Sequence, residues 1–368
     1  MQKLKLSRNL SKSVLSCGAH TKNTVCSARK DTLYLNPEHL DLDNPVHFAE
    51  FRKRVTFWLG KKPEGVAVDL HPDYSSTKYA LSLAKRYRVI SVQHHHAHIV
   101  SCMVDNNLRD GRVIGVAFDG TGLGDNGGLW GAEFLLCTYK GFQRKGHLRE
   151  IPLIGAEMAI RQPFRLALVW LWWLRGERFW DEDILILKNI KRATLCQIKQ
   201  IWDKGLNSPL ASSMGRLFDA VGCILLGQPT VKYEAELAIR TEELAQRHLA
   251  KVSAYPFSLG RQDKLWVINP LPMFKEMLGD IHARESKEKI ALRFHLTVAR
   301  MIKEVCVKIR QDTLVNSVAL SGGVFQNALL RQLSVEILTR GGFRVYTHRK
   351  IPCHDAGISV GQAVIAGS

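Results

Sequence analysis

The chain has 368 residues, 46% hydrophobic and 23% charged, a globular balance that excludes wholesale disorder and, at ~100–200 residues per domain, allows two or three lobes. Lys and Arg number 52 against 34 Asp and Glu, a net charge of +18 that suits a polyanionic ligand or an acidic protein face. The longest apolar run, residues 166–174, falls well short of the ~20 a membrane span needs, so no membrane association is expected.

The basic N-terminus lacks the apolar stretch of a signal peptide. Eight scattered cysteines without a C-x-x-C suit reduced thiols, which makes the cytoplasm the expected location. Residues 14–17 and 24–26 flank a polar turn and read as a hairpin. A helix is expected over 45–60, a buried strand over 65–70, a helix over 76–86, a strand over 88–92 and a helix over 94–106. Residues 113–118 and 129–139 read as strands around a glycine-rich turn. Beyond Pro152 helices dominate, over 161–202, 213–226 and 233–251, with Trp170, Trp172 and Trp173 as helix core. A strand over 264–268 and a long helix over 285–310 follow. The end alternates again: a strand over 317–320, a helix from 325, a strand over 343–347 and a helix from 357. This pattern predicts an α/β fold of two lobes, 1–150 and 151–368, with a helical insertion in the second.

Polar residues gather where strands hand over to turns or helices, the place where open α/β sheets bind ligands. In Gln93-His94-His95-His96-Ala97-His98, His94 and His98 stand one helical turn apart on one face, able to meet at a metal. His95 occupies the place of the general-base Glu in H-E-x-x-H, which disfavours peptidase chemistry. Gly122, Gly124 and Gly127 satisfy G-x-G-x-x-G, but the following stretch is strand-like, so the dinucleotide fingerprint lacks its context. A strand ending in Asp119 and a Gly120-Thr121-Gly122 turn instead read as a hairpin presenting backbone N–H groups to phosphate. Gly322 and Gly323 before a helix favour an anion, and Gly215 with Asp219 at another helix start suits a ribose. Asp355, before the last helix, reads alone as a helix cap and gains weight as a site residue only beside the others.

Together these segments resemble the C-terminal, TsaD-like domain of the HypF carbamoyltransferases of NiFe-hydrogenase maturation. The matching runs are VLSCGAHTKNTVC, DLHPDYSSTKYA, VQHHHAHI, VAFDGTGLGDNGGLWGAEFLL, SMGRLFDAVG, LSGGVFQNALL and DAGISVGQAVIA, in order along nearly the whole chain. The resemblance implies a two-lobed fold of the sugar-kinase/actin/Hsp70 (ASKHA) type. It implies transfer of a carbamoyl group from carbamoyl-adenylate to the C-terminal cysteine of a HypE-like acceptor, toward a cyanide ligand. It places metal ligands, catalytic through the ion, at His94, His98, Asp119 and Asp355. Nucleotide contacts fall at Gly120, Thr121, Gly122, Gly215, Asp219, Gly322, Gly323 and Asn327, with Glu234 at the ribose. Two imidazoles and two carboxylates suit iron, zinc or manganese, with iron or zinc the expected metal and ATP or carbamoyl-adenylate the nucleotide.

Full-length members of the family carry acylphosphatase, zinc-finger and YrdC-like domains before this one. None is found in these residues, so a stand-alone module served by a separate YrdC-like protein is expected. The family's PGGD-like segment reads Ile154-Gly155-Ala156-Glu157 here, and its YEGQAA-like segment reads Tyr233-Glu234-Ala235-Glu236-Leu237-Ala238, with Ala235 narrowing the pocket beside Glu234. Three alternatives stand: tRNA threonylcarbamoyl transfer in the manner of TsaD, an antibiotic O-carbamoyltransferase, and a non-catalytic nucleotide-binding homologue. The charge favours the first; the Asp119-Gly120-Thr121-Gly122 turn and the HHHAH run oppose it, and nucleic-acid binding is not favoured.

Overall fold

Two sheets share one plan, and the plan decides where the polar residues meet. The computed structural model describes residues 1–368. The first sheet holds β1 (Gln2–Lys5), β2 (Val14–Ser16), β3 (Cys26–Arg29), β4 (Thr32–Leu35), β5 (Gly65–Asp69) and β6 (Arg88–Val92) in the order β1-β4-β3-β2-β5-β6. An antiparallel meander, β2 to β4, gains β5 and β6 in parallel. Parallel neighbours need crossovers, which α1 (Pro45–Leu59) and α2 (Ser75–Leu81) supply. α1 starts where the Asn44 side chain accepts the N–H of Val46 and Pro45 presets the first turn, and it buries Phe51, Val55 and Trp58. α3 (His94–Asp105) leaves β6 directly, its start fixed by the Gln93 side chain accepting His96 N–H at 2.8 Å.

The second sheet repeats the arrangement. β7 (Val113–Leu123), β8 (Leu129–Cys137) and β9 (Phe142–Leu148) form the meander, and β10 (Ile151–Pro152) and β11 (Leu210–Ser213) branch from β8. A hairpin, β12 (Ser258–Gln262) and β13 (Leu265–Asn269), extends the β9 edge, while β14 (Ser317–Ser321) and β15 (Arg344–Tyr346) run parallel to β7. The order β9-β8-β7-β14-β15 mirrors β4-β3-β2-β5-β6. This is the two-lobed α/β architecture expected. The sheets change over between residues 92 and 113, whereas the expected division lay near residue 150, because β7 pairs with β14 across the intervening helices.

Those helices are α4 (Glu157–Arg161), α5 (Phe164–Arg175), α6 (Leu185–Lys188), α7 (Arg192–Asp203), α8 (Met214–Leu226), α9 (Glu236–Gln246), α10 (Leu271–His282) and α11 (Lys287–Thr313). The stretch expected as helix over 161–202 is broken by a 3-10 turn, Gly176–Asp181, entered through the positive φ of Gly176. Trp170 is buried and stacks on Phe274 at 5.1 Å, while Trp172 and Trp173 are half-buried against the same core. α12 (Ala328–Arg340) and α13 (Ile358–Gly367) complete the chain. α13 packs on β2, β3 and β5, α3 packs on β7, β8 and β14, and the two helices meet between the sheets. Gly361 makes this meeting possible, since a Cβ there would stand 2.0 Å from Ala97 O.

Candidate active site

The carboxyl ends of β5, β6, β7 and β14 point toward one region, where α3 begins. His94 Nε2 and His98 Nε2 lie 3.2 and 3.3 Å from Asp119 Oδ2, and 3.8 and 3.5 Å from Asp355 Oδ1. All four ligand atoms fall within 4.8 Å of one another. An ion with ~2.0–2.2 Å bonds in tetrahedral geometry asks for ligand atoms roughly 3.3–3.6 Å apart, close to the 3.2–3.8 Å between imidazoles and carboxylates, so the set suits a divalent cation. His98 Nε2 is buried and makes no aligned hydrogen bond.

Each side chain is delivered by a local device. Helical spacing aligns His94 and His98, and the buried Asp69 at the end of β5 pairs with His94 Nδ1 at 2.8 Å, aiming Nε2 into the cluster. Asp119 comes from an irregularity in β7 between Phe118 and Gly122. Asp355 opens a 3-10 turn, but His354 caps it, its Nδ1 accepting Ala356 N–H, which leaves the Asp355 carboxylate free. The loop before it is tied to the far end of α3, where Asp105 Oδ2 accepts the N–H groups of Arg349, Lys350 and Ile351 at 2.5, 2.9 and 3.1 Å.

Burial opposes the charge on His94, yet the carboxylates of Asp69, Asp119 and Asp355 outweigh it and hold its pKa well above the usual histidine value. His98 is raised for the same balance, burial against Asp119 and Asp355. Burial would lift the Asp119 carboxyl, but the two imidazoles bring it well below the ordinary range. The carboxylates thus favour positive charge at this point of the fold, as a bound cation would supply it.

Asp119 also faces a second space. Its Oδ1 accepts Gly323 N–H at 3.1 Å, and it lines a cavity of ≈ 290 Å³ with Gly120, Gly215, Arg216, Asp219 and Asn327. Lys22 and Glu234, both on its lining, pair across it from segments 212 residues apart, Nζ to Oε2 2.6 Å. Burial would lower the Lys22 pKa, but Glu234, Asp355 and Asp119 raise it. Burial likewise raises Asp219 against the pull of Arg216. Four carboxylates, Asp119, Asp219, Glu234 and Glu242, line the cavity against two cations, Lys22 and Arg216. An anionic ligand therefore calls for added positive charge beside it. A larger groove of ≈ 680 Å³ between Tyr255, Trp266 and Lys308 holds none of the cluster residues.

The expected site residues divide between these two spaces. His94, His98, Asp119 and Asp355 come together, and Gly120, Gly215, Asp219, Glu234, Gly323 and Asn327 line the cavity. Thr121, Gly122 and Gly322 are not among the lining residues. The turn expected at 120–122 is instead a bulge inside β7, and the chain reverses at Gly124–Gly128, with Gly124 N–H to Gly128 O at 2.9 Å. Gly122 lets the strand pass the imidazoles, since a Cβ there would meet His94 and His95 at 2.8 Å. Gly322, at φ +104, sits 2.2 Å by its would-be Cβ from Phe118 O and holds β14 against β7. The Asn327 amide is largely engaged, its Oδ1 accepting Leu330 N–H and its Nδ2 donating to His295 Nε2 at 2.9 Å. Sequence reasoning missed Asp69, Lys22, Arg216 and Asp105; only the position of Asp69 at a strand end carried a signal.

Residues 9–105 match the family model described as HypF Kae1-like domain, and residues 115–362 match the one described as carbamoyltransferase, Kae1-like domain, second subdomain. The chain is 34% identical to a carbamoyltransferase HypF homolog of Cupriavidus necator, over 96% of this chain and 91% of that one. It is 32% identical to carbamoyltransferase HypF of Synechocystis sp., over 98% of this chain and 48% of that one. Full-length HypF crystallised in a phosphate- and nucleotide-bound form superposes with a TM-score of 0.91 at 37% identity, over 100% of this chain and 47% of that one. HypF of T. kodakarensis superposes with a TM-score of 0.87 at 27% identity, over 99% and 48%. The chain thus spans about half the length of most of the curated relatives it matches.

Proposed function

The chain belongs to the HypF Kae1-like carbamoyltransferase domain family, and from that premise we propose that it passes a carbamoyl group from carbamoyl-adenylate to a cysteine thiolate at the C-terminus of a HypE-type acceptor. The observation that carries this reading is Asp119, whose two oxygens face the metal-competent cluster and the cavity at once. In the transfer, thiolate sulfur bonds to the carbamoyl carbon and the carbon–oxygen bond to phosphate breaks, releasing AMP. A divalent cation, iron or zinc, held by His94, His98, Asp119 and Asp355 supplies Lewis acidity for the carbonyl and countercharge for the phosphate.

The chain's own residues bind and orient. Gly120, Gly215 and Gly323 admit the nucleotide backbone-close, Asp219 and Glu234 accept from ribose hydroxyls, and Asp69 keeps His94 aimed. The nucleophile belongs to the acceptor, because six of the eight cysteines are buried and burial pushes the Cys353 thiol, beside the site, up to about 11. A YrdC-like adenylate-forming unit, on this polypeptide or another, supplies the donor.

The test combines purified chain, carbamoyl-adenylate and a HypE-type acceptor, reading AMP release and thiocarboxamide on the acceptor by mass spectrometry. Both products are expected with the wild-type chain and neither with His98→Ala or Asp355→Ala. Nucleotide binding with no product from the wild-type chain would leave the non-catalytic homologue. The charge of +18 favours a second reading, tRNA threonylcarbamoyl transfer, which requires tight, salt-sensitive tRNA binding.

A further inference from the structure

Arg216 is absent from every role assigned above, yet it is the one cation buried in the cavity wall. It is 5% exposed, and it stands in the first turn of α8, the 13-residue helix Met214–Leu226. Its Nη2 reaches Asp219 Oδ2 at 2.9 Å, while its Nε is buried without a partner. The helix start abuts the β7 bulge: a Cβ on Gly215 would lie 3.1 Å from Gly120 Cα, and one on Gly120 would lie 4.0 Å from Arg216 Nη2. The guanidinium thus sits beside the bulge that carries Asp119 and against the carboxylate proposed for the ribose. A guanidinium offers five N–H donors, and this one has a single carboxylate partner. The other cation, Lys22, is half-exposed and already bound to Glu234.

We propose that Arg216 is the phosphate-recognising residue of the cleft, and that it makes the site select a 5′-phosphorylated adenosine over the bare nucleoside. This rests on the reading of the cavity as an adenylate site. The geometry suits one phosphate: the guanidinium is held by Asp219, stands in the first turn of α8 where the helix end is positive, and lines the same cavity as the Gly323 backbone. Asp219 then serves twice, restraining the guanidinium with one oxygen while the other faces the sugar. Loss of the charge should therefore weaken the phosphate end of the site far more than the nucleoside end, where Glu234 remains.

The experiment is calorimetric titration of the full chain with AMP and, separately, with adenosine. Wild-type protein should bind AMP more tightly than adenosine. Arg216→Gln, which keeps an amide beside Asp219 but no charge, should weaken AMP by about tenfold or more and change adenosine by less than about threefold. Arg216→Lys keeps the charge and guards against a folding defect; its AMP affinity should fall between the other two, with adenosine as in wild type. Equal loss of both ligands in Arg216→Gln, or none of AMP, overturns the proposal. So does a wild-type chain that binds the two equally, an outcome that leaves the adenylate site standing. A wild-type chain that binds neither ligand removes the adenylate site itself, and the proposal with it.

Discussion

Asp69 is not among the residues that would touch a ligand, yet it holds His94 Nδ1 at 2.8 Å and is fully buried. A carboxylate behind a metal-facing imidazole fixes its tautomer and raises its basicity, and losing it costs ~10–100-fold in metal affinity. Asp69→Asn should therefore lower zinc affinity by about that factor in a chelator competition while thermal unfolding stays near wild type; unchanged affinity would remove Asp69 from the site. His295 makes a different prediction. Its Nδ1 donates to Ala291 O and its Nε2 accepts from Asn327, so the ring is neutral, and burial pushes its pKa down to about 4. His348, buried against Ser321, is likewise lowered to about 4. An unfolded histidine titrates near ~6.5, so between there and about 4 the unfolded chain binds the extra protons. Stability is full above that window and falls with pH through it, by about 3 kcal/mol for each ring. Urea midpoints that do not drop between pH 7 and 4.5 would contradict both assignments. At this scale His94 and His98 were legible because their relation is local, one helical turn. Asp69 was not, because its partner lies 25 residues on in a different element, and Arg216 was hidden in a run that reads equally well as helix core.

α3 works as a ruler between two ends of the proposed metal site. Its first two turns carry the imidazoles and its last residue, Asp105, gathers three N–H groups of the loop that returns Asp355. Asp105→Ala should free that loop and weaken metal binding by about tenfold although no ligand is altered; faster amide exchange confined to 349–355 would mark the cause. Two other segments hold alanine where the backbone asks for glycine. Ala235 caps α9 at φ +62, and Ala156 caps α4 at φ +51 with ψ −113. Left-handed backbone costs an L-residue about 1–2 kcal/mol, so glycine at either position should raise the melting temperature, more so at 156. A fall at both would show that side-chain packing outweighs the backbone term. The left-handed Ala235 also explains why the helix expected from residue 233 begins only at Glu236. Short polar strands such as β1, β9 and β12 escaped notice for another reason: QKLK, FQRKGHL and SLGRQ carry little apolar alternation, and their pairing partners alone make them strands.

Across the whole molecule, α3 and α13 hold the sheets together, and Gly361 sets their distance. Gly361→Val would force the helices apart and should cost at least about 1–3 kcal/mol, with metal affinity falling alongside stability because His98 and Asp355 lie on either side of that contact. Retained affinity in a destabilised variant would separate the site from the packing. The two-lobed α/β class was legible from alternation and motifs. The place where one lobe yields to the other was not, since β7 is written 204 residues before the strand it joins at Ile114 and Val318.

One carboxylate at the meeting of two spaces has a thermodynamic consequence. If Asp119 answers both to a cation and, through Gly323, to the nucleotide wall, the two ligands cannot bind independently. Whatever factor zinc adds to the association constant of AMP, AMP must add to that of zinc, because the free-energy cycle closes. Measuring either cross-effect fixes the other, so the traffic of metal and adenylate through this fold is a single equilibrium surface with one heterotropic constant.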